Sequence, residues 1–237
     1  MNSLPVVFVW VGKKPPAWWL SSVSWAKKNN PENDFWIVTN STALGAVPDW
    51  LNVFRPSEDV LDAPIEGLRY QGSFWRNSSL RFWALAEWCR TVGAAKFFHA
   101  ELDNALFSLS GLGQSLDRLG VGLFVPRDAP DRALASLMYC NRPASFVELV
   151  GLYQKPGGIE HDMHALGVYS DRFPQWFHAL PTESYREYAW DVLSPKKTGG
   201  VFDAAAIGQY LFGAAPDYRE KRIPKTGYVN ENSKVDW

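Results

Sequence analysis

The opening stretch constrains the fold more than any later one. Pro5-Val6-Val7-Phe8-Val9-Trp10-Val11-Gly12 is an unbroken apolar run ending in glycine. Ala17 to Asn30 then spaces Trp18, Val23 and Ala26 as a helix does, until Asn29-Asn30-Pro31 stops it. Asp34-Phe35-Trp36-Ile37-Val38-Thr39-Asn40 is a second apolar run ending in polar residues. A strand without polar alternation is buried on both faces, as strands of parallel sheets are. Two such strands joined by one helix within about 35 residues make a βαβ unit, which requires parallel pairing. The expected class is therefore α/β, with a mostly parallel central sheet flanked by helices. At 237 residues and 46% hydrophobic content the chain supports one domain spanning 1–237.

Later segments extend this pattern. Leu51-Asn52-Val53-Phe54 reads as a short strand, and Ser73 to Val92 contains a helix that begins after a cap at Asn77, Ser78 or Ser79 and is ended by Arg90 and Gly93. Gly120 to Pro126 and Leu134 to Cys140 read as further strands, and Arg142-Pro143 opens a helix through Leu149 and Leu152.

Charge and motifs exclude several functions. Lys plus Arg number 24 against 25 for Asp plus Glu, so no overall field draws nucleic acid or an anionic membrane, and any anion binding is local. The first strand is followed by neither GxGxxG nor GxxxxGK[ST], which disfavours a dinucleotide dehydrogenase or a P-loop enzyme. The amino terminus lacks a basic segment, and its apolar run is too short for a signal core or membrane span, so a soluble cytoplasmic protein without an integral membrane segment is expected. Cys89 and Cys140 read as buried free thiols rather than a disulfide. The chain holds 12 Trp, most of them assigned to packing and one or two to ligand contact.

Ligands of open parallel sheets sit beyond the carboxyl ends of strands, which makes Val11, Gly12, Thr39 and Asn40 the first rim candidates. The chemistry concentrates in Lys96-Phe97-Phe98-His99-Ala100-Glu101-Leu102-Asp103-Asn104-Ala105-Leu106-Phe107. On extended backbone Glu101 and Asp103 would share a face, and two carboxylates that close need a cation between them, such as Mg²⁺ or Mn²⁺. The other reading is a solvated turn after an ordinary strand. His99 has the same parity and is expected to hydrogen-bond a neighbour rather than bind metal. Arg81 shares a helix face with Asn77, and its guanidinium can hold the acids or a phosphate; the same holds for Arg76, with exposed helix charge as the alternative for both. His161 and His164 form either a weak metal pair or a plain helix start, with Asp162 between them. Asp203 reads as an N-cap and as an acid at a helix start, with Gln209 on the same helix.

The run Arg76-Asn77-Ser78-Ser79-Leu80-Arg81-Phe82-Trp83-Ala84-Leu85, followed by a Gly-containing turn and Phe97 to Asn104, resembles the central segment of GT-A fold nucleotide-sugar glycosyltransferases. In that family an Arg-bearing helix precedes a strand ending in an Asp-x-Asp type motif, here varied to Glu101-x-Asp103. Val201 to Gly213 is similar to a late segment of bacterial surface-polysaccharide glycosyltransferases. The resemblance implies a single GT-A-like (Rossmann-like) domain, with 1–104 the nucleotide-sugar-binding half and 105–237 the acceptor-binding half. It implies a divalent-metal-dependent hexosyltransferase whose partners are a nucleoside diphosphate sugar and a carbohydrate or glycolipid acceptor. Glu101 and Asp103 would hold Mn²⁺ or Mg²⁺, and Val11, Gly12, Thr39, Asn40, Arg76, Arg81, Asn104 and Gln209 would bind the donor. Asp203 and Asp162 are the candidates for a base, and the basic tail from Asp217 reads as a lid or a frayed end. A glycolipid acceptor would put the protein at the inner membrane face as a peripheral enzyme. The rival readings are a glycoside hydrolase and a non-catalytic carbohydrate-binding protein.

Overall fold

The computed structural model describes residues 4–65, 68, 73–154, 158–182, 186 and 190–202. The expected βαβ unit is present: β1 (Val6–Trp10) and β2 (Phe35–Thr39) pair in parallel through the crossover helix α1 (Trp19–Asn29). Trp19, Val23 and Ala26 are spaced four and three apart, so they form one stripe that α1 buries against the sheet. β3 (Leu51–Phe54) adds outside β2, again in parallel. The chain then passes through the short helix α2 (Glu58–Leu61), capped by the Ser57 hydroxyl, into α3 (Ser73–Val92). Helix α3 carries it back across the sheet to β4 (Phe97–Ala100), on the other side of β1. The strand order β3-β2-β1-β4 thus reverses direction at β1, which is the kind of place where open sheets bind ligands.

Helix α3 starts earlier than expected. Asn77, Ser78 and Ser79 lie inside it, because Arg76 ties the first turn to the carbonyls of Leu61 and Ala63. The serines then bond inward instead of capping: Ser78 Oγ donates to Phe74 O at 2.9 Å, and Ser79 Oγ accepts from Tyr153 OH at 3.2 Å.

The second half mixes directions. α4 (Leu112–Asp117) leads to β5 (Leu123–Ala129), which forms a hairpin with β6 (Arg132–Ala133). β7 (Leu137–Cys140) runs antiparallel to both β4 and β5. After α5 (Ala144–Gly151) and α6 (Asp162–Arg172), β8 (Phe177–Leu180) returns parallel to β5, and α7 (Pro195–Thr198) follows. The sheet is parallel around β1 and mixed beyond β4. The strand expected over 134–140 is narrowed to β7 because the chain turns at Ala135 and Ser136, although the Ser136 carbonyl still accepts the Glu101 N–H at 3.0 Å in register with the ladder.

Alternate residues of β1 feed two cores. Val7 meets Phe82, Leu85, Trp88, Phe97, Phe146 and Leu149 under α3, α5 and α6. Val6 and Phe8 meet Val23, Phe35, Ile37, Phe98 and Leu116 under α1 and α4. Trp88 is wholly buried, edge-on to Trp36 and Phe97. Cys89 and Cys140 are free and buried, and burial raises both thiols, Cys140 to about 12. Among the described residues no helix is long and apolar enough to cross a membrane.

Candidate active site

Because β2, β1 and β4 are parallel, their carboxyl ends share one edge of the sheet. At that edge the loops after β1 and β2 are stitched together. Asn40 Oδ1 accepts the Gly12 N–H at 2.8 Å, and Ser41 Oγ donates to Lys13 O at 2.7 Å. Thr39 Oγ1 accepts the Ser41 N–H at 3.0 Å, and Arg55 donates to Thr39 O at 3.0 Å and to Ser41 O. Thr39 and Asn40 therefore shape the rim by holding backbone. Gly12 has φ 154°, and a Cβ there would lie 3.4 Å from Trp10 Nε1 and 3.8 Å from Asn77 Nδ2. The upper turn of α3 thus closes on the β1 loop.

The ladder of β4 ends at the Ala100–Leu137 pair, after which the chain turns rather than continuing extended. Asn104 N–H donates to Glu101 O at 3.1 Å, and the Asn104 amide donates to Ser136 O. The premise that Glu101 and Asp103 share a strand face is overturned, since a turn and not a strand carries them. They stay close enough for their charges to interact.

The cation between carboxylates is Arg81. Its Nε donates to Ser78 O at 2.7 Å, one terminal nitrogen pairs with Glu101 Oε1, and the other lies 3.1 Å from Asp162 Oδ2. Arg81 has a side chain 13% exposed, against 33% for Glu101 and 5% for Asp162, so the fork is shielded from behind and opens on the Glu101 side. Burial pulls the guanidinium down, but Glu101 and Asp162 outweigh it and raise it. Burial pushes Glu101 up and Arg81 overcomes it, leaving that acid below its ordinary range. Asp162 goes the other way: its deeper burial and the Glu101 charge outweigh the same Arg81. Asp103 is exposed at its own surface, yet desolvation by surrounding protein and then the Glu101 charge raise it to about 6.

The remaining candidates divide clearly. His99 is buried; its Nδ1 donates to Val7 O at 2.9 Å, and burial lowers it to about 3, so the ring is neutral. His161 caps α6, its Nδ1 accepting the His164 N–H at 3.1 Å, while His164 Nδ1 accepts the Glu160 N–H at 3.0 Å. Both Nδ1 lone pairs are consumed, as in a helix start and not a metal pair. Burial, then His164, lowers His161 to about 4. Arg76 points to Leu61 and Ala63, apart from Arg81. Asp203, Gln209 and the basic tail lie outside the described residues.

Among the described residues no group of three or more His, Cys, Asp or Glu side chains is arranged to hold a metal. The donors present are Asp103 and the Glu101 oxygen not paired with Arg81. Two carboxylate oxygens suit an ion that keeps its waters and takes further ligands from a substrate's phosphates, as Mg²⁺ does. Sequence reasoning did not join Asp162 to Arg81 or Ser136 to the acidic turn, because each partner is remote in the chain and carries no local signal. The Trp10 indole at the rim had one: a large aromatic at the carboxyl end of the first strand.

No family model matches the chain, and no curated protein does. Solved structures similar in chain path include mouse xyloside xylosyltransferase 1, 12% identical over 76% of this chain and 85% of that one, with a TM-score of 0.49. A galactosyltransferase, LgtC, in complex with donor and acceptor sugar analogues is 12% identical over 85% of each chain, with a TM-score of 0.49. A cytidylyltransferase from Leptospira borgpetersenii is 11% identical over 89% of this chain and 85% of that one, with a TM-score of 0.47. These are likenesses of fold.

Proposed function

We propose that this chain is a glycosyltransferase that moves a sugar from a nucleoside diphosphate sugar to an acceptor hydroxyl. The observation that carries the reading is Arg81, anchored between Glu101 and Asp162 where the parallel strands end, with Asp103 open beside it. One guanidinium here answers three carboxylates, so the site is negative, and a diphosphate binds there only with added positive charge. Mn²⁺ or Mg²⁺, held by Asp103 and the outer oxygen of Glu101, would supply that charge and neutralise the departing diphosphate.

The chain's own residues do the rest. The stitched loops at Val11-Gly12 and Thr39-Asn40 border the nucleoside. Arg81 fixes Glu101, and Asn104 locks the acidic turn to Ser136 so that Asp103 stays outward. Asp162, buried behind Arg81, is a positioning residue; the base of an inverting route then falls to Asp203, and a retaining route needs none there. The acceptor is a carbohydrate or glycolipid hydroxyl.

The test is release of nucleoside diphosphate from a panel of nucleotide sugars with Mn²⁺, in the absence of acceptor. A glycoside hydrolase or a carbohydrate-binding protein releases none. Asp103→Asn, an exposed change that leaves circular dichroism intact, is expected to lower turnover by on the order of 100-fold, as loss of one strong electrostatic contact does. Full turnover in that variant removes the proposed role. A cognate donor at 100 times its dissociation constant raises stability by about 2.7 kcal/mol.

A further inference from the structure

We propose that the outer face of α1, together with Phe107, docks this protein onto an anionic lipid bilayer surface. Trp18, Ser21, Trp25 and Lys28 follow one another at three and four residues, so they form a single stripe about 15 Å long on the side of α1 opposite Trp19, Val23 and Ala26. Trp18 is 48% exposed, Trp25 44% and Phe107 65%. Two indoles and a phenyl ring in one exposed stripe exceed the scattered apolar residues of an ordinary surface.

The patch is held in place. Asn30, which is buried, donates from one amide nitrogen to Ala26 O at 3.0 Å and to Phe107 O at 2.8 Å, while its oxygen accepts the Leu109 N–H at 2.6 Å. That clamp fixes the 107–109 loop and sets Phe107 edge-on against Trp25, ring centroids 6.0 Å apart. A core residue therefore presents the phenyl ring to solvent.

Charge identifies the occupant. Lys28 stands on the stripe and the exposed Lys13 and Lys14 precede it, while Lys27 turns its ammonium to Pro31 O and Asn33 O; no Asp or Glu occurs from Gly12 to Asn30, and the first acid is Glu32, beyond the helix. The chain as a whole is nearly neutral at −1, so this is a local basic face. Indoles favour the headgroup region of a bilayer, and adjacent lysines are drawn to anionic lipids. The stripe is a convex ridge, suited to a flat surface and lacking the walls that enclose a saccharide. Helix α1 also begins just past the Val11-Gly12 loop, so docking brings the proposed catalytic rim to the lipid surface, where a lipid-borne acceptor would lie. Binding itself does not rest on the glycosyl-transfer reading and is measured without turnover.

The experiment is cosedimentation of the full chain with vesicles of phosphatidylcholine alone and of phosphatidylcholine containing phosphatidylglycerol, together with tryptophan emission. The expected result is binding to the anionic vesicles only, with a blue shift, weakening as salt rises. Lys13→Glu/Lys14→Glu/Lys28→Glu is expected to weaken it by at least about 100-fold, since each lysine contributes about a kilocalorie at such a surface. Trp18→Ser/Trp25→Ser is expected to remove the blue shift and weaken binding by on the order of 10-fold. Circular dichroism confirms that both variants fold. Absence of binding at low salt overturns the proposal, as does binding unchanged by the tryptophan pair. Binding that survives both variants but is lost in Lys221→Glu/Arg222→Glu/Lys225→Glu places the contact elsewhere and overturns it as well.

Discussion

Helices α1 and α3 are both rich in tryptophan and both follow the sheet, yet they use the residue in opposite ways. Helix α3 is packed beneath α5 and α6, buries Trp88 completely and sets Trp83 against Tyr153 and Trp75 against His161. Helix α1 has the sheet on one side, buries Trp19 and leaves Trp18 and Trp25 in water. The same side chain supplies core volume in one helix and an exposed contact face in the other. Layering decides which, because only a helix covered on its outer side can bury a second stripe.

The sharpest break of this contrast is a pair of alanine variants. Trp88→Ala is expected to cost about 3–5 kcal/mol in denaturant unfolding, through lost burial and the cavity left behind. Trp25→Ala is expected to stay within about 0.5 kcal/mol, as a surface change does. Equal costs would abolish the distinction between the two helices.

A somewhat smaller effect is expected from the polar side of α3. Arg81→Met leaves Asp162 buried without its partner, at a cost of about 3 kcal/mol, near the low end for a broken buried pair because Glu101 is partly open to water. Introduced into an Asp162→Asn background, the same change should cost clearly less. An identical cost in both backgrounds would mean that the 3.1 Å contact carries no coupling.

The smallest effect lies at the start of α6, against Trp75. His161 is held at about 4 in the folded chain, below its ordinary value of about 6.5. Between those values the unfolded chain binds the proton and the folded chain does not, so stability is lost as pH falls from about 6.5 toward 4. Protonating Nδ1 also removes the acceptor that caps His164 N–H and puts positive charge at a helix amino terminus. His161→Asn keeps a capping oxygen and removes this titration, so its melting temperature should decline less steeply with acid than that of the parent. Parallel pH profiles would rule out His161 as the cause.

Much of the fold was legible in the chain. The continuous apolar runs of β1 and β2 and the breaker at Asn29-Asn30-Pro31 placed the βαβ unit closely, and the fate of His99 followed from its position in a buried strand. The acidic turn was legible only in part. Alternation gave Glu101 and Asp103 a common face, but the chain turns at Leu102 and Asp103, where Asn104 N–H closes back on Glu101 O and the Asn104 amide takes the carbonyl of Ser136, from a turn far along the chain. The cap expected at Asn77 to Ser79 failed for the same kind of reason: carbonyls of Leu61 and Ala63 engage Arg76 and start the helix a turn earlier.

By itself the sequence determined the parallel α/β layering, the buried thiols and the location of the acids at a strand end, because periodicity and local hydrogen bonding act between near neighbours. Only the tertiary structure decided that Arg81 reaches both Glu101 and Asp162 and that α1 keeps two indoles outside. Those outcomes depend on which distant groups compete for one guanidinium and which helices cover one another, and such competition is settled by packing in three dimensions.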